Sequence, residues 1–283
     1  MNRLSLEKQC RVLANLVEGN SIRGISRITG TNRTTITRLM VDLGKVCYDY
    51  QDRVLRNLTS KRVQCDELVA LIGCHERRLK PGHKEKGWGN CWTWTALDAD
   101  TKLAICWHVG LREAADAVMF MENLASRLSN RIQLSTDGFP GYFYAVDNAF
   151  GSAVDYGQIV KSYGNKFDEE RIGARYSPSR CNDVQYRVIK GKPSQAHIST
   201  SFNERNNLTM RMHMGRFMRM TNRHSKKLEN HAYNVAVHFM YYNFARWHQT
   251  LRCTPAMAAG ISDHIWELEE IVGLLENPGQ KAA

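Results

Sequence analysis

The chain has 283 residues, 43% of them hydrophobic, enough for a sizeable core and, at about 150 residues per domain, for about two folded domains. Lys and Arg outnumber Asp and Glu by 39 to 28, a net charge of +11 with a pI of about 9.3, so a polyanion is the first partner to consider. No stretch approaches the roughly 18 continuous apolar residues of a membrane span, and MNRLSLEKQCRVLANL lacks a signal peptide's apolar core and cleavage site, so a cytoplasmic protein without a membrane partner is expected.

From Leu4 to Glu18, apolar Leu6, Cys10, Leu13 and Val17 step by four, three and four, which predicts a helix with one buried face. Ser21 can cap a short second helix carrying Ile22, Ile25 and Ile28. Gly30 supplies a turn, and Thr31 or Asn32 caps a third helix with Ile36, Leu39 and Leu43 inward. Small Ser26 and Gly30 would let the last two helices cross closely, a helix-turn-helix pattern. The outer face of the third helix would then show Arg33, Thr34, Thr35, Thr37 and Arg38, donors suited to phosphates and major-groove base edges. A trihelical packing module with a solvated basic face is the alternative.

Residues 45–60 read as a helix and linker. Beyond Arg62 the period becomes that of strands: VQCDELVALIG, then two strands in CWTWTALDADTKLAICWHVG joined by a turn at Asp98 to Thr101. A helix from Glu113 to Leu128 follows, then a short strand, RIQLSTDG, ending at Asp137, a helix from Tyr142 to Phe150, and a strand in AVDYGQIVKSY. Residues 164–200 are polar, show no period and read as an irregular insertion. After it come a helix in SFNERNNLTMRM, a second from about Ser225 to Trp247 with Leu228, Ala232, Val235, Phe239 and Tyr242 as its seam, and a last one from Ile265 to Leu275. The eight cysteines form no C-x-x-C pair and are expected to be reduced and structural.

The positive charge has two addresses. Residues 1–60 hold ten cations against five anions, residues 201–252 hold nine against two, and the remainder is close to neutral. Three carboxylates stand out by position: Asp66 in mid-strand, where burial disfavours a charge, Asp137 at the carboxyl end of a strand, and Glu204 near the start of a helix. Brought together, they would repel one another unless a hard divalent cation neutralised them, and two such ions can drive phosphoryl transfer. Arg211, seven residues beyond Glu204, lies two helical turns along on nearly the same face, where it could hold a phosphate. Glu67, next to Asp66, would point to the opposite face of a regular strand, in a surface or salt-bridge role. Asp155 and Asp183 are weaker competitors for the third carboxylate. Trp92 and Trp94 read as sheet-face core rather than base-stacking platforms.

The stretches V-Q-C-D-E-L, W-T-W-T-A-L-D-A-D-T-K-L, S-T-D-G, H-I-S-T-S-F-N-E-R-N-N-L-T-M-R-M, S-K-K-L-E-N-H and Y-N-F-A-R-W-H-Q-T-L-R-C-T-P-A-M-A resemble those of insertion sequence 1 family DDE transposases in their single-chain form, over nearly the whole length. The resemblance implies an α/β, RNase H-like mixed sheet flanked by helices and preceded by an all-α helix-turn-helix domain. It implies domains at 1–57 (DNA-binding), 58–258 (catalytic, with an irregular insertion at about 160–200) and 259–283 (C-terminal helix and tail). Asp66, Asp137 and Glu204 would bind two Mg²⁺ ions, with Mn²⁺ able to substitute, to nick the element's ends and join each 3′-hydroxyl to target DNA. Asn203 and Asn207 beside Glu204, Arg211, Lys226 and Lys227 would contact DNA. The implied partners are double-stranded DNA, as terminal inverted repeats and target, and further copies of the chain on that DNA, in the nucleoid of a prokaryote. An N-terminal zinc-binding segment carried by other members is not expected here. Two further readings are a DNA-binding regulator or transposition repressor without catalysis, and a structure-selective nuclease of the same fold.

Overall fold

The computed structural model describes residues 4–163, 181–218 and 221–277. Three helices come first: α1 (Leu6–Val17), α2 (Ile22–Thr29) and α3 (Arg33–Val54). The side chains of Ser5, Ser21 and Asn32 accept hydrogen bonds from backbone N–H groups at the respective N-termini, and Gly30 ends α2 with φ +67°, a conformation that costs glycine least. Ile25, Ile36, Leu39 and Leu43 are buried as the periodicity predicts. The helix and linker expected at 45–60 are instead mostly a continuation of α3, which runs unbroken for 22 residues.

Six strands follow: β1 (Arg62–Ile72), β2 (Gly89–Asp98), β3 (Ala104–Gly110), β4 (Ile132–Asp137), β5 (Val154–Tyr163) and β6 (Cys181–Lys190). They form one mixed sheet in the order β3-β2-β1-β4-β5-β6. Strands β1 to β3 pair antiparallel, β4 is parallel to β1 and β5 parallel to β4, and β6 returns antiparallel on the edge. Helices α4 (Ala114–Ala125) and α5 (Gly141–Phe150) pack over one face. Helices α6 (Ser201–His213) and α7 (Leu228–Met240) lie against the other, α7 passing through a π-helical turn at Tyr241–Ala245. Two short helices, α8 (Pro255–Ala258) and α9 (Leu268–Gly273), close the chain. The result is a six-stranded mixed α/β sheet flanked by helices and preceded by an all-helical segment, consistent with the RNase H-like fold implied by the sequence. Among the described residues, no helix is long and apolar enough to cross a membrane.

The irregular insertion expected at about 160–200 is overturned in part. Residues 181–190 are strand β6, and Gln195–His197 form a single 3-10 turn, while 164–180 lie outside the described residues. Strand β6 is exposed along most of its length. Its Val184, Tyr186 and Val188 do alternate, but with no buried face there is no run of apolar residues to announce a strand.

The helical segment and the sheet share one core, because α3 packs along α7. The two backbones approach closely at Gly44, where a Cβ would lie 2.3 Å from Tyr233 Cβ. Gln51 reinforces the contact by donating to the Ala236 carbonyl at 3.2 Å. Within α7, His231 and His238 are enclosed, and burial lowers both pKa values to about 3. An unfolded histidine takes up a proton near pH 6.5, so between about pH 3 and 6.5 the unfolded chain binds more protons, and stability falls as pH falls through that window. We expect His238→Phe to flatten the pH dependence of the thermal midpoint between pH 4 and 6.5 relative to the unaltered protein, measured by circular dichroism melts.

Candidate active site

The register of the two central parallel strands builds the site. Gln64 of β1 is aligned with Ser135 of β4, and two residues further on the same offset brings Asp66 beside Asp137. Both are partly buried, and Asp137 is the last residue of its strand. Oxygens of Asp66, Glu67 and Asp137 lie within 4.8 Å of one another, a set of hard oxygen donors that fits a divalent cation.

Neighbouring groups hold each carboxylate in place. Asp66 Oδ2 accepts from Asn207 Nδ2 at 2.7 Å, and its Oδ1 accepts from the Glu67 N–H at 2.9 Å. Asp137 Oδ1 accepts from the Phe139 N–H at 3.0 Å, and its Oδ2 from Arg112 Nη2 at 2.8 Å. The same guanidinium donates through Nε to Glu67 Oε2 at 3.0 Å, while Tyr142 Oη donates to Glu67 Oε1. Arg112 thus ties Glu67 to Asp137, and it lies against the rings of Phe139 and Trp92.

Glu204 occupies the first turn of α6, and a buried polar network fixes that helix to the sheet. Gln64 Oε1 accepts from the N–H groups of Phe202 and Asn203 at 2.8 and 3.2 Å. Asn203 Nδ2 donates to the carbonyls of Gln64 and Thr95 at 2.9 and 2.8 Å, and Thr95 Oγ1 donates to Asn203 Oδ1 at 2.7 Å. Glu204 itself accepts from Thr200 Oγ1 at 2.8 Å and pairs with Lys161 of β5. Its carboxylate is not one of the three that converge, but its charge reaches Asp66.

These surroundings set the protonation. Burial first, and then the Asp137 charge, push Asp66 up to about 7, with Glu204 adding to the effect and Lys161 opposing it. Burial and Asp137 push Glu67 up to about 8 against the hydrogen bond from Tyr142 and the charge of Arg112. At Glu204, burial works the other way from Lys161 and Thr200, whose hydrogen bonds prevail and hold the carboxyl below its usual range. The pattern is a pocket of acids that resists losing its protons until a cation arrives.

The structure sorts the candidates from the sequence. Asp66 and Asp137 are brought together, and Glu204 faces them from α6. Asn207 touches Asp66. Asn203 is fully enclosed with its amide occupied by the sheet, so it positions α6 and is not open to DNA, which corrects the contact expected from its place beside Glu204. Arg211 is half-buried further along α6, and Lys226 and Lys227 are exposed ahead of α7. Arg33, Thr34, Thr35 and Arg38 are exposed on the first turns of α3, with Thr37 half-buried. Asp155 pairs with Arg131 instead, and Asp183 sits on the exposed edge strand. Trp94 is buried among Phe120, Phe139 and Tyr142, as a core residue should be.

Glu67, Arg112, Tyr142 and Lys161 were not legible as site residues. The salt bridge foreseen for Glu67 exists, but the surface position does not, since its side chain is 1% exposed. The available signal was that β1 has apolar or aliphatic neighbours on both alternations, which marks a central strand without a solvent face.

No protein-family profile and no curated relative matches the sequence. Among solved structures, the chain is similar to a piggyBac transposase in a synaptic complex with hairpin DNA. The two share 11% identity over 97% of this chain and 71% of that one, at a TM-score of 0.42. A likeness of that size says nothing of what this chain does.

The site's electrostatics lead to a test of stability. An unfolded Asp titrates near about 3.9, so between that pH and about 7 the unfolded chain loses a proton that folded Asp66 keeps, and stability falls as pH rises. With divalent cations chelated, Asp66→Asn should therefore raise the thermal midpoint at pH 8, by about 2–4 °C for each kcal/mol of repulsion removed, and change it little at pH 4. Adding Mg²⁺ should raise the midpoint of the unaltered protein and not that of the variant.

Proposed function

We propose that the protein is a metal-dependent DNA transposase of the insertion sequence 1 type, cutting the ends of a mobile element and joining them to target DNA. The observation that carries this reading is the strand register that sets Asp66 beside Asp137 at the carboxyl end of the sheet, with Glu204 facing them from a helix pinned by Asn203. Asp66, Asp137 and Glu204 would hold two Mg²⁺ ions, or Mn²⁺ in their place. Bound there, the cations would supply polarisation of the phosphate and a lowered pKa for the attacking hydroxyl. The chain's own groups do the rest. Asn207 orients Asp66, Arg112 holds Asp137 against Glu67, and Lys161 balances the charge of Glu204 in the free protein.

In this reading residues 1–57 recognise the terminal inverted repeats, residues 58–258 carry catalysis, and residues 259–283 form a C-terminal cap. Arg33, Thr34, Thr35, Thr37 and Arg38 present donors to base edges and phosphates, while Arg211, Lys226 and Lys227 meet DNA nearer the carboxylates. Two copies of the chain would act together on the paired ends.

The test uses purified protein, Mg²⁺ and a duplex bearing the inverted repeats read from the DNA flanking the gene. Nicking at the repeat end and transfer of the 3′-hydroxyl to a second duplex are expected. Asp66→Ala, Asp137→Ala and Glu204→Ala should each lower joining by more than about 100-fold, beyond the usual effect of altering a residue behind a ligand, while leaving DNA binding in place. Cleavage without joining would make the protein a nuclease of the same fold, and tight binding without cleavage a DNA-binding regulator.

A further inference from the structure

The β1–β2 connection carries an unassigned concentration of charge. Residues 75–88 hold five cations, Arg77, Arg78, Lys80, Lys84 and Lys86, against Glu76 and Glu85. All five cations are exposed. The backbone beneath them is anchored. The Gly73 N–H donates to the Ser225 carbonyl at 2.6 Å, and Trp88 Nε1 donates to the Lys226 carbonyl at 3.2 Å. Trp88 lies so close over Gly73 that a Cβ there would meet its ring at 2.1 Å, and φ at Gly73 is +70°.

Geometry relates this connection to the carboxylates. Strand β1 pairs with β4 only through Gln64 and then runs on to Ile72, so the hairpin projects past Asp137 at the carboxyl end of the sheet. From Asp66 to Ile72 is six residues, which at about 3.3 Å each is about 20 Å. Along a duplex rising 3.4 Å per base pair, that distance is about six base pairs. The anchoring segment also leads onward. Arg223 and Lys226 line a groove of about 810 Å³ whose other wall holds Arg23, Arg33 and Thr37 of the first helices.

We propose that residues 74–88 form a clamp on the DNA phosphate backbone about six base pairs from the scissile phosphate, bridging the bases read by α3 and the carboxylates. The proposal rests on the transposase reading and adds a contact to it. Phosphates, rather than bases, are the target, because five cations on one exposed turn with no amide or aromatic platform offer charge but little means of telling base edges apart. The clamp would hold the duplex at one angle to the sheet, so that recognition of the repeat fixes where the cut falls.

The experiment compares the unaltered protein with two variants, Arg77→Gln/Arg78→Gln/Lys80→Gln and Lys84→Gln/Lys86→Gln. Binding to a random-sequence duplex of about 30 base pairs is followed by fluorescence anisotropy from 50 to 200 mM salt, and each phosphate contact removed should lower the slope of log K against log salt by about 0.9. Because these side chains are exposed, circular dichroism melts should stay unchanged. Hydroxyl-radical footprints on the element end should lose protection about six base pairs from the cut. An unchanged slope and footprint would overturn the clamp and leave the transposase reading intact. A lowered slope in a protein that neither cuts nor joins would keep the clamp as a DNA contact and overturn the catalytic reading. Loss of affinity for an RNA hairpin of equal length, with duplex DNA binding unaffected, would reassign the patch to RNA and overturn the proposal.

Discussion

Like charges are buried side by side at the middle of this sheet, and the rest of the molecule is arranged around that cost. Asp66 and Asp137 face each other across a parallel strand pair, and Glu67 joins them from the next position on β1. Without counter-charge such a cluster would weaken the fold. The protein answers with Arg112 between Glu67 and Asp137, Tyr142 on the far oxygen of Glu67, Asn207 on Asp66 and Lys161 on Glu204. Each comes from a different element, so the site exists only when sheet and both helix layers are assembled. The relief is incomplete, which is why Asp66 and Glu67 hold their protons to unusually high pH.

The amide chemistry around Asn203 shows how rigidity is delivered to Glu204. A helix packed only by apolar contacts can slide or rotate by fractions of a turn, whereas Asn203 and Gln64 exchange hydrogen bonds with backbone and side chain alike. Breaking any one strands a buried polar group, so the arrangement has one low-energy register. The position of Glu204, one residue along, follows from it.

Much of this was readable in the sequence, for reasons that differ from element to element. Helices α1 to α3 declared themselves through periodic apolar faces and capping serines, and Asp66 and Asp137 through charges at positions where strands are buried. Strand β6 was missed because an exposed edge strand has no core-facing residues to set a period. Glu67 was placed on the surface because alternation assigns it to the face opposite Asp66, yet a central strand is covered on both faces. Arg112 and Lys161 gave no local signal at all, since their roles arise from contacts between residues far apart in the chain. Asn203 was read as a surface donor for the opposite reason: its neighbours suggested a polar helix face, and only the sheet beneath reveals that this face is buried.

Helix α3 begins at Arg33 on the exposed basic face and continues without interruption to Val54 inside the common core. Its 22 residues rise about 1.5 Å and turn about 100° each. The loops on either side could grow or shrink with little effect, but one residue inserted between Ile36 and Gly44 would swing Arg33 and its neighbours about a quarter of the way round the axis while the Gly44 contact with Tyr233 stayed where it is. Orientation of the exposed face is therefore encoded as a residue count along a single rod, and length in this helix is under a tighter constraint than the identity of most of its side chains.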